Sequence, residues 1–221
     1  MTHRNSAPVG ILGGTFDPIH TGHLRLAVEA AESCKLAEVR LIPAGTPPHR
    51  APPLASPRQR LEMARLAAAG CPGLVVDERE AFKTTRCYTV ETLVELRAEV
   101  GDAVPLCLIL GMDQFLDLAT WHRWRELFRL AHLIVAWRPG SGADRKPEGP
   151  LAEEHAARAG DDPRALRAAP AGAIVPIAIT ALDISASGIR CRLAAGRSVR
   201  YLLPDSVLDY IQANSLYSGA G

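Results

Sequence analysis

Residues 9–24 read "VGILGGTFDPIHTGHL", and the order of residue types along them decides the architecture. The apolar run "VGIL" at 9–12 gives way to Gly13 and Gly14, then to a short loop, then to an amphipathic pattern near 22–34. That is strand, tight loop, helix. The alternation recurs down the chain: apolar runs at 39–44, 73–77, 105–111, 132–137 and 173–177 are interspersed with amphipathic stretches near 57–70, 88–100 and 123–130. The runs are apolar throughout rather than at every second residue, as strands are when helices cover both faces of a sheet. Strand-helix alternation makes the crossovers parallel, so the expected fold class is α/β, a doubly wound parallel sheet. In such sheets ligands sit beyond the carboxyl ends of the strands, and the segments directly after the apolar runs are where chemistry is sought.

Composition narrows the class of protein. With 221 residues, 48% of them hydrophobic, the chain is long enough for one large domain, and a formal net charge of +1 gives no reason to expect a nucleic acid as partner. No window approaches the roughly 20 apolar residues of a membrane span. The segment "MTHRNSAP" ahead of the first run is too short for the apolar core of a signal peptide, so the cytoplasm is the expected compartment. Cys34, Cys71, Cys87, Cys107 and Cys191 stand singly, with no C-x-x-C, and read as small buried apolar residues rather than a disulfide framework or zinc knuckle. A Gly-, Pro- and charge-rich loop at 138–150 and an Ala- and Arg-rich helical piece at 151–169 form an excursion, about 138–172, within a single domain spanning 1–221. A C-terminal helical part begins at about 185, and its last helix carries Pro204 in its first turn.

Within the opening stretch, a glycine pair after a strand lets the backbone turn sharply and lets a ligand approach main-chain N–H groups that a Cβ would shield. That favours a phosphate. Neither G-x-G-x-x-G nor G-x-x-x-x-G-K-[ST] is present, so a plain dehydrogenase or P-loop enzyme is disfavoured. Thr21 as N-cap would set His20 just outside the helix and His23 in its first turn, where the free N–H groups and the dipole favour an anion. Two histidines there add donors to the anion's oxygens; with no third ligand near, a protein-held metal is a weak reading and none is expected.

A second segment, "DISASGIR" at 183–190, puts Ser185 and Ser187 at cap-like positions and Arg190 in the first turns of a helix running to about 195. Hydroxyls, free N–H groups and a guanidinium make another phosphate site, though simple capping with a solvated Arg accounts for it equally well. Four more segments follow strands. His49 and Arg50 end the Pro-rich "PAGTPPHR", Thr89 opens a helix in "CYTVETL", and Asp113 and Trp121 lie in "GMDQF" and "ATWHRW". In a chain poor in aromatics, Trp121 could stack on a flat heteroaromatic ring, although core packing is the commoner fate of Trp.

"GGTFDPIHTGHL" closely resembles the T/H-x-G-H signature of the nucleotidyltransferase superfamily, in the "FDPIH" form of the bacterial nicotinate-nucleotide adenylyltransferase family. "DISASGIR" resembles the I-S-S-T-x-I-R signature of the same superfamily, with Ala186 in place of the second Ser and Ser187 in place of Thr. The resemblance implies that Gly13, Gly14, Thr15, Phe16, His20, His23, Asp113, Ile184, Ser185, Ser187 and Arg190 bind ATP. His20, His23 and Arg190 would stabilise the transition state at the α-phosphorus. It further implies that Thr15, His49, Arg50, Thr89, Trp121 and His122 hold nicotinate mononucleotide, with Trp121 on the ring and main-chain N–H groups near Thr89 and His122 taking the carboxylate. His122 stands where the family usually has Tyr, and Cys87 where it usually has Ser.

If the acceptor is a mononucleotide phosphate, its second pKa of about 6 leaves the nucleophile already ionised at neutral pH. No general base is then required, and none of the usual triads is visible. The chain must align two anions and neutralise charge as pyrophosphate leaves, with Mg²⁺ carried by ATP. Other acceptors, nicotinamide mononucleotide or phosphopantetheine, are alternatives within the superfamily. A nucleotide sensor without catalysis is an alternative of another class, disfavoured by the retained histidines, Ser185 and Arg190.

Overall fold

The computed structural model describes residues 7–45, 52–139 and 146–218. Each of the six apolar runs is a strand: β1 (Val9–Gly14), β2 (Glu38–Pro43), β3 (Leu74–Val76), β4 (Leu106–Gly111), β5 (His132–Trp137) and β6 (Ile174–Ala178). Between and after them come α1 (Thr21–Cys34), α2 (Pro57–Ala68), α3 (Thr89–Val100), α4 (Met112–Leu116), α5 (Trp124–Leu130), α6 (Pro150–Arg158), α7 (Ala186–Ala194) and α8 (Asp205–Ala213). The sheet order is β3-β2-β1-β4-β5-β6. β1 pairs in parallel with β4, β4 with β5 and β5 with β6, in registers that set Val9 beside Leu106 and Leu108 beside Leu133. This is the doubly wound α/β fold, in which the strand order runs outward in both directions from β1 and β4.

By backbone contacts the chain divides into two compact units, interleaved in sequence: residues 1–12, 27–40 and 88–181 form one, and 13–26, 41–87 and 182–221 the other. In the first, the core is the apolar body of the sheet, with Leu106, Cys107, Leu133, Ile134 and Val175 fully buried. His132, also fully buried, joins β5 to the segment leading into β6: Nε2 lies 2.9 Å from the Ala169 carbonyl, and Nδ1 accepts the Ala173 N–H at 3.0 Å. In the second unit α2 packs against α8, and Leu61, Met63, Val207 and Ile211 are buried. Ser56 starts α2 with a reciprocal cap, its hydroxyl accepting from the Gln59 N–H while the Gln59 side chain accepts from the Ser56 N–H.

Three expectations are corrected. The piece 151–169 is not one helix: α6 stops at Arg158, Gly160 donates to the Ile174 carbonyl, and a separate 3₁₀ turn spans Pro163–Arg167. Pro163 has no N–H and disfavours helical backbone at the residue before it, which divides the piece there. Pro204 caps α8 rather than occupying its first turn, and α8 ends at Ala213, beyond which Ser215 and Tyr217 take left-handed φ values of 51° and 60°. Of the cysteines, Cys34, Cys87 and Cys107 are buried, but Cys71 is half-buried and Cys191 exposed. Burial pushes the Cys34 thiol up to about 11. Among the described residues no helix is long and apolar enough to cross a membrane.

Candidate active site

β1 delivers the chain to the first candidate segment. The strand continues through Gly13 and Gly14, neither of which has a positive φ, so the glycine pair does not make the sharp turn expected of it. The reversal comes at Phe16, whose φ is 51° and whose ring is buried. Gly14 makes room for that ring: a Cβ at Gly14 would stand 2.6 Å from Phe16 Cε1, whereas one at Gly13 would meet nothing within 4 Å. Clearance for a ligand therefore belongs to Gly13 alone, and Gly14 serves the protein's own packing. Thr15, half-buried, lies between the glycines and this turn.

α1 starts one residue earlier than the Thr21 cap implied. Thr21 is its first residue, with its N–H donated to the Leu202 carbonyl, and the His20 carbonyl accepts from His23 and Leu24. His20 is thus the N-cap, and His23 is the third helical residue. Its Nδ1 accepts the His20 backbone N–H at 3.3 Å, the role a Glu or Gln plays in a capping box. The two imidazoles stack, with centroids 3.7 Å apart and planes 25° apart, and Phe16 meets His23 edge-on at 5.0 Å. Gly22 fits closely beneath them, since a Cβ there would lie 3.1 Å from His20 Nδ1.

In the same unit α7 begins against this turn. Ser185 is its N-cap, the hydroxyl accepting the Gly188 N–H at 3.1 Å and lying 3.3 Å from the Ser187 hydroxyl. Ser187 and Ser185 are exposed and Ile184 half-buried; Ile184 Cβ is 3.8 Å from where a Gly22 Cβ would be. Arg190 donates through Nη1 to the Asp17 carbonyl at 2.7 Å. Two segments 173 positions apart thereby meet, and two helix N-termini, two imidazoles and a guanidinium are assembled at one place.

Beneath it lies a charged cluster that the sequence reading missed. Asp17, 5% exposed, accepts the Leu54 N–H at 2.9 Å, the Ala55 N–H at 3.1 Å and the Tyr217 hydroxyl at 2.6 Å. Arg60 is fully buried and donates to the carbonyls of Thr15 at 2.6 Å, Gly45 at 2.8 Å and Ala55 at 3.3 Å. Burial lowers the Arg60 pKa, against the opposing fields of Asp17, Tyr217 and Glu80. Burial first, then Asp17, pushes the Tyr217 hydroxyl well above its ordinary value. Gly45 is confined by backbone, for a Cβ there would fall 2.2 Å from the Glu80 carbonyl oxygen.

The other unit carries the remaining candidates. Thr89 is the first residue of α3, as expected, and Asp113 is exposed in the first turn of α4. Trp124 of "TWHRW" enters the core, 8% exposed with Phe128 edge-on at 6.0 Å, while Trp121 is only half-buried. The exposed His122 ring packs on Tyr88, centroids 4.4 Å apart, a contact not anticipated. His49 and Arg50 lie outside the described residues. Among the described residues no three His, Cys, Asp or Glu side chains gather as a metal site.

The cytidylyltransferase-like family model matches residues 11–192. A probable nicotinate-nucleotide adenylyltransferase of Halorhodospira halophila is 57% identical over 200 residues, 90% of each chain. A protein of the same description from Dechloromonas aromatica is 52% identical over 213 residues, 96% of this chain and 98% of its own. Among solved structures, Plasmodium falciparum nicotinic acid mononucleotide adenylyltransferase complexed with NaAD superposes with a TM-score of 0.69 at 16% identity, covering 96% of this chain and 97% of that one. Its complex with APC superposes equally well, with a TM-score of 0.69. At such identity the likeness is one of fold.

Proposed function

The chain belongs to the cytidylyltransferase-like family and, within it, to the nicotinate-nucleotide adenylyltransferases, and on that premise we propose that it joins ATP and nicotinate mononucleotide into nicotinate adenine dinucleotide, releasing pyrophosphate. The observation that carries this reading is the meeting of the α1 and α7 N-termini, where His20, His23, Ser185, Ser187 and Arg190 converge. The reaction asks no proton abstraction of such an array. The array suits a reaction in which an ionised phosphate attacks phosphorus and charge grows on the leaving oxygens.

In this reading the triphosphate enters as its Mg²⁺ complex. Asp17 supplies no ligand to the ion, because its carboxylate is committed to Leu54, Ala55 and Tyr217. A neutral His23, with Nδ1 accepting from the backbone, carries its proton on Nε2, and the His20 ring is stacked on it. At the end of β1, Gly13 leaves room for the nucleotide and the main chain of Gly14, Thr15 and Phe16 lines the approach; Ile184, Ser185 and Ser187 hold the phosphate chain at α7, and Asp113 takes the ribose. Arg190 has five N–H donors and commits Nη1 to Asp17, so the rest of its fork serves the phosphates. For the acceptor, Trp121 stacks on the nicotinate ring, the main chain at Thr89 and His122 receives its carboxylate, and Thr15, His49 and Arg50 take its phosphate. The cytoplasm, where ATP is available, is the compartment this implies.

The test is pyrophosphate release from ATP and Mg²⁺ with each of three acceptors. Release with nicotinate mononucleotide and not with nicotinamide mononucleotide or phosphopantetheine supports the reading. Release with one of the others in its place reassigns the acceptor, and nucleotide binding without release under any condition identifies a sensor.

A further inference from the structure

Asp17 and Arg60 are opposite charges that do not touch each other through their ends. Arg60 is matched instead by main-chain carbonyls, and the Asp17 carboxylate by two main-chain N–H groups, with Arg190 Nη1 3.9 Å from its Oδ2. Ala55 is gripped on both sides, its N–H by Asp17 and its carbonyl by Arg60. Arg60 also takes the Thr15 and Gly45 carbonyls, so a buried anion and a buried cation fix the turn after β1, the exit of β2 and the entry to α2. A buried charge of this kind is costly unless every donor and acceptor is matched. The third member is Tyr217, 9% exposed, whose hydroxyl reaches Asp17 Oδ1 across 200 positions of sequence.

The main-chain carbonyl of Asp17 holds Arg190, and the Asp17 carboxylate holds Tyr217. One residue, three positions ahead of His20, therefore joins the guanidinium assigned to the triphosphate with a tyrosine 200 positions away. We propose that Tyr217 is a positioning residue for the nucleotide: through Asp17 it fixes the Phe16–Asp17 turn, and with it the direction in which Arg190 presents its remaining donors. It touches no substrate itself. The inference rests on the assignment of this site to ATP phosphates.

Removal of only the hydroxyl, in Tyr217→Phe, keeps the ring in its place and leaves Asp17 short of one donor. Three quantities are measured on the full-length protein: the affinity for a non-hydrolysable ATP analogue by calorimetry, steady-state pyrophosphate release, and the thermal midpoint. Tyr217→Phe is expected to weaken the analogue about tenfold and to raise KM for ATP with it, the scale of a misplaced donor. KM for nicotinate mononucleotide should change less than twofold. Val207→Ala, which empties part of the α2–α8 contact, is the stability control and is expected to lower the midpoint without changing the affinity.

Equal analogue affinity in wild type and Tyr217→Phe overturns the proposal, and so does an equal loss in Val207→Ala, which would make the role one of stability only. If wild type releases no pyrophosphate with any acceptor, the proposed reaction fails. The analogue affinities of the two variants still decide this inference.

Discussion

His23 Nδ1 accepts the backbone N–H of His20 at 3.3 Å, so a single ring both caps α1 and fixes its own tautomer. A neutral imidazole with Nδ1 accepting carries its proton on Nε2. The two functions can be separated by substitution. In His23→Asn the side-chain oxygen can still take the His20 N–H, while the donor at the Nε2 position is gone. Stability should stay within about 1 kcal/mol of wild type, and kcat should fall on the order of 10²–10³, the usual effect of a lost transition-state donor. Unchanged turnover in a folded His23→Asn protein would remove His23 from the chemistry.

Gly22→Ala tests the stack from beneath. At this helical position alanine is intrinsically better than glycine by roughly 1 kcal/mol, but its Cβ would press on His20 Nδ1 at 3.1 Å. The ring must yield by a few tenths of an ångström. We expect stability changed by less than about 1 kcal/mol together with a loss of about tenfold or more in kcat. Heat denaturation and pyrophosphate release on the same preparation separate the two effects, and a variant of full activity would show that His20 has slack.

Arg60→Lys asks whether the buried cation acts by charge or by shape. Lysine keeps the charge but cannot donate in three directions to carbonyls on Thr15, Gly45 and Ala55. A loss of about 3 kcal/mol is expected, or roughly 10 °C in thermal midpoint. A midpoint within a degree or two of wild type would mean that charge alone is needed there.

His132 predicts a dependence of stability on pH. Burial lowers its pKa below the usual 6.5, helped by Arg97 and opposed by the bond to Ala169. A second ring proton would also point Nδ1–H at the Ala173 N–H. Because the folded pKa is the lower one, the contribution is fully present above pH 6.5 and is lost as pH falls below it. Urea midpoints measured from pH 7.5 down to pH 5 should fall for wild type more steeply than for His132→Gln. Parallel slopes would contradict this.

The sheet was legible because burial on both faces leaves an unbroken apolar run, as in β4 and β5, and each of the six runs became a strand, including β3, where Val75 is exposed. The helix ends were harder. Thr21 has the usual cap side chain, yet the cap fell on His20 because His23 could accept the backbone N–H three residues back. Both segments proposed to hold the phosphates were legible as residue types at strand and helix ends. Their common support was not, since Asp17, Arg60 and Tyr217 stand far apart in the sequence and meet only through long-range closure. One signal was present: Arg60 falls in register with the buried Met63, Ala64 and Ala67, an arginine on the apolar stripe of its helix.

The bond from Tyr217 to Asp17 also bears on the making of the protein. Ribosomes add about 5–20 residues per second, so Asp17 waits some tens of seconds after its own synthesis for the hydroxyl that completes its shell. During that interval β1 and α1 can form, but a buried carboxylate lacking a donor favours an open turn. The nascent chain should therefore acquire its grip on nucleotide late and abruptly, when the turn bearing Tyr217 docks, and stalled chains lacking Tyr217 should hold little ATP.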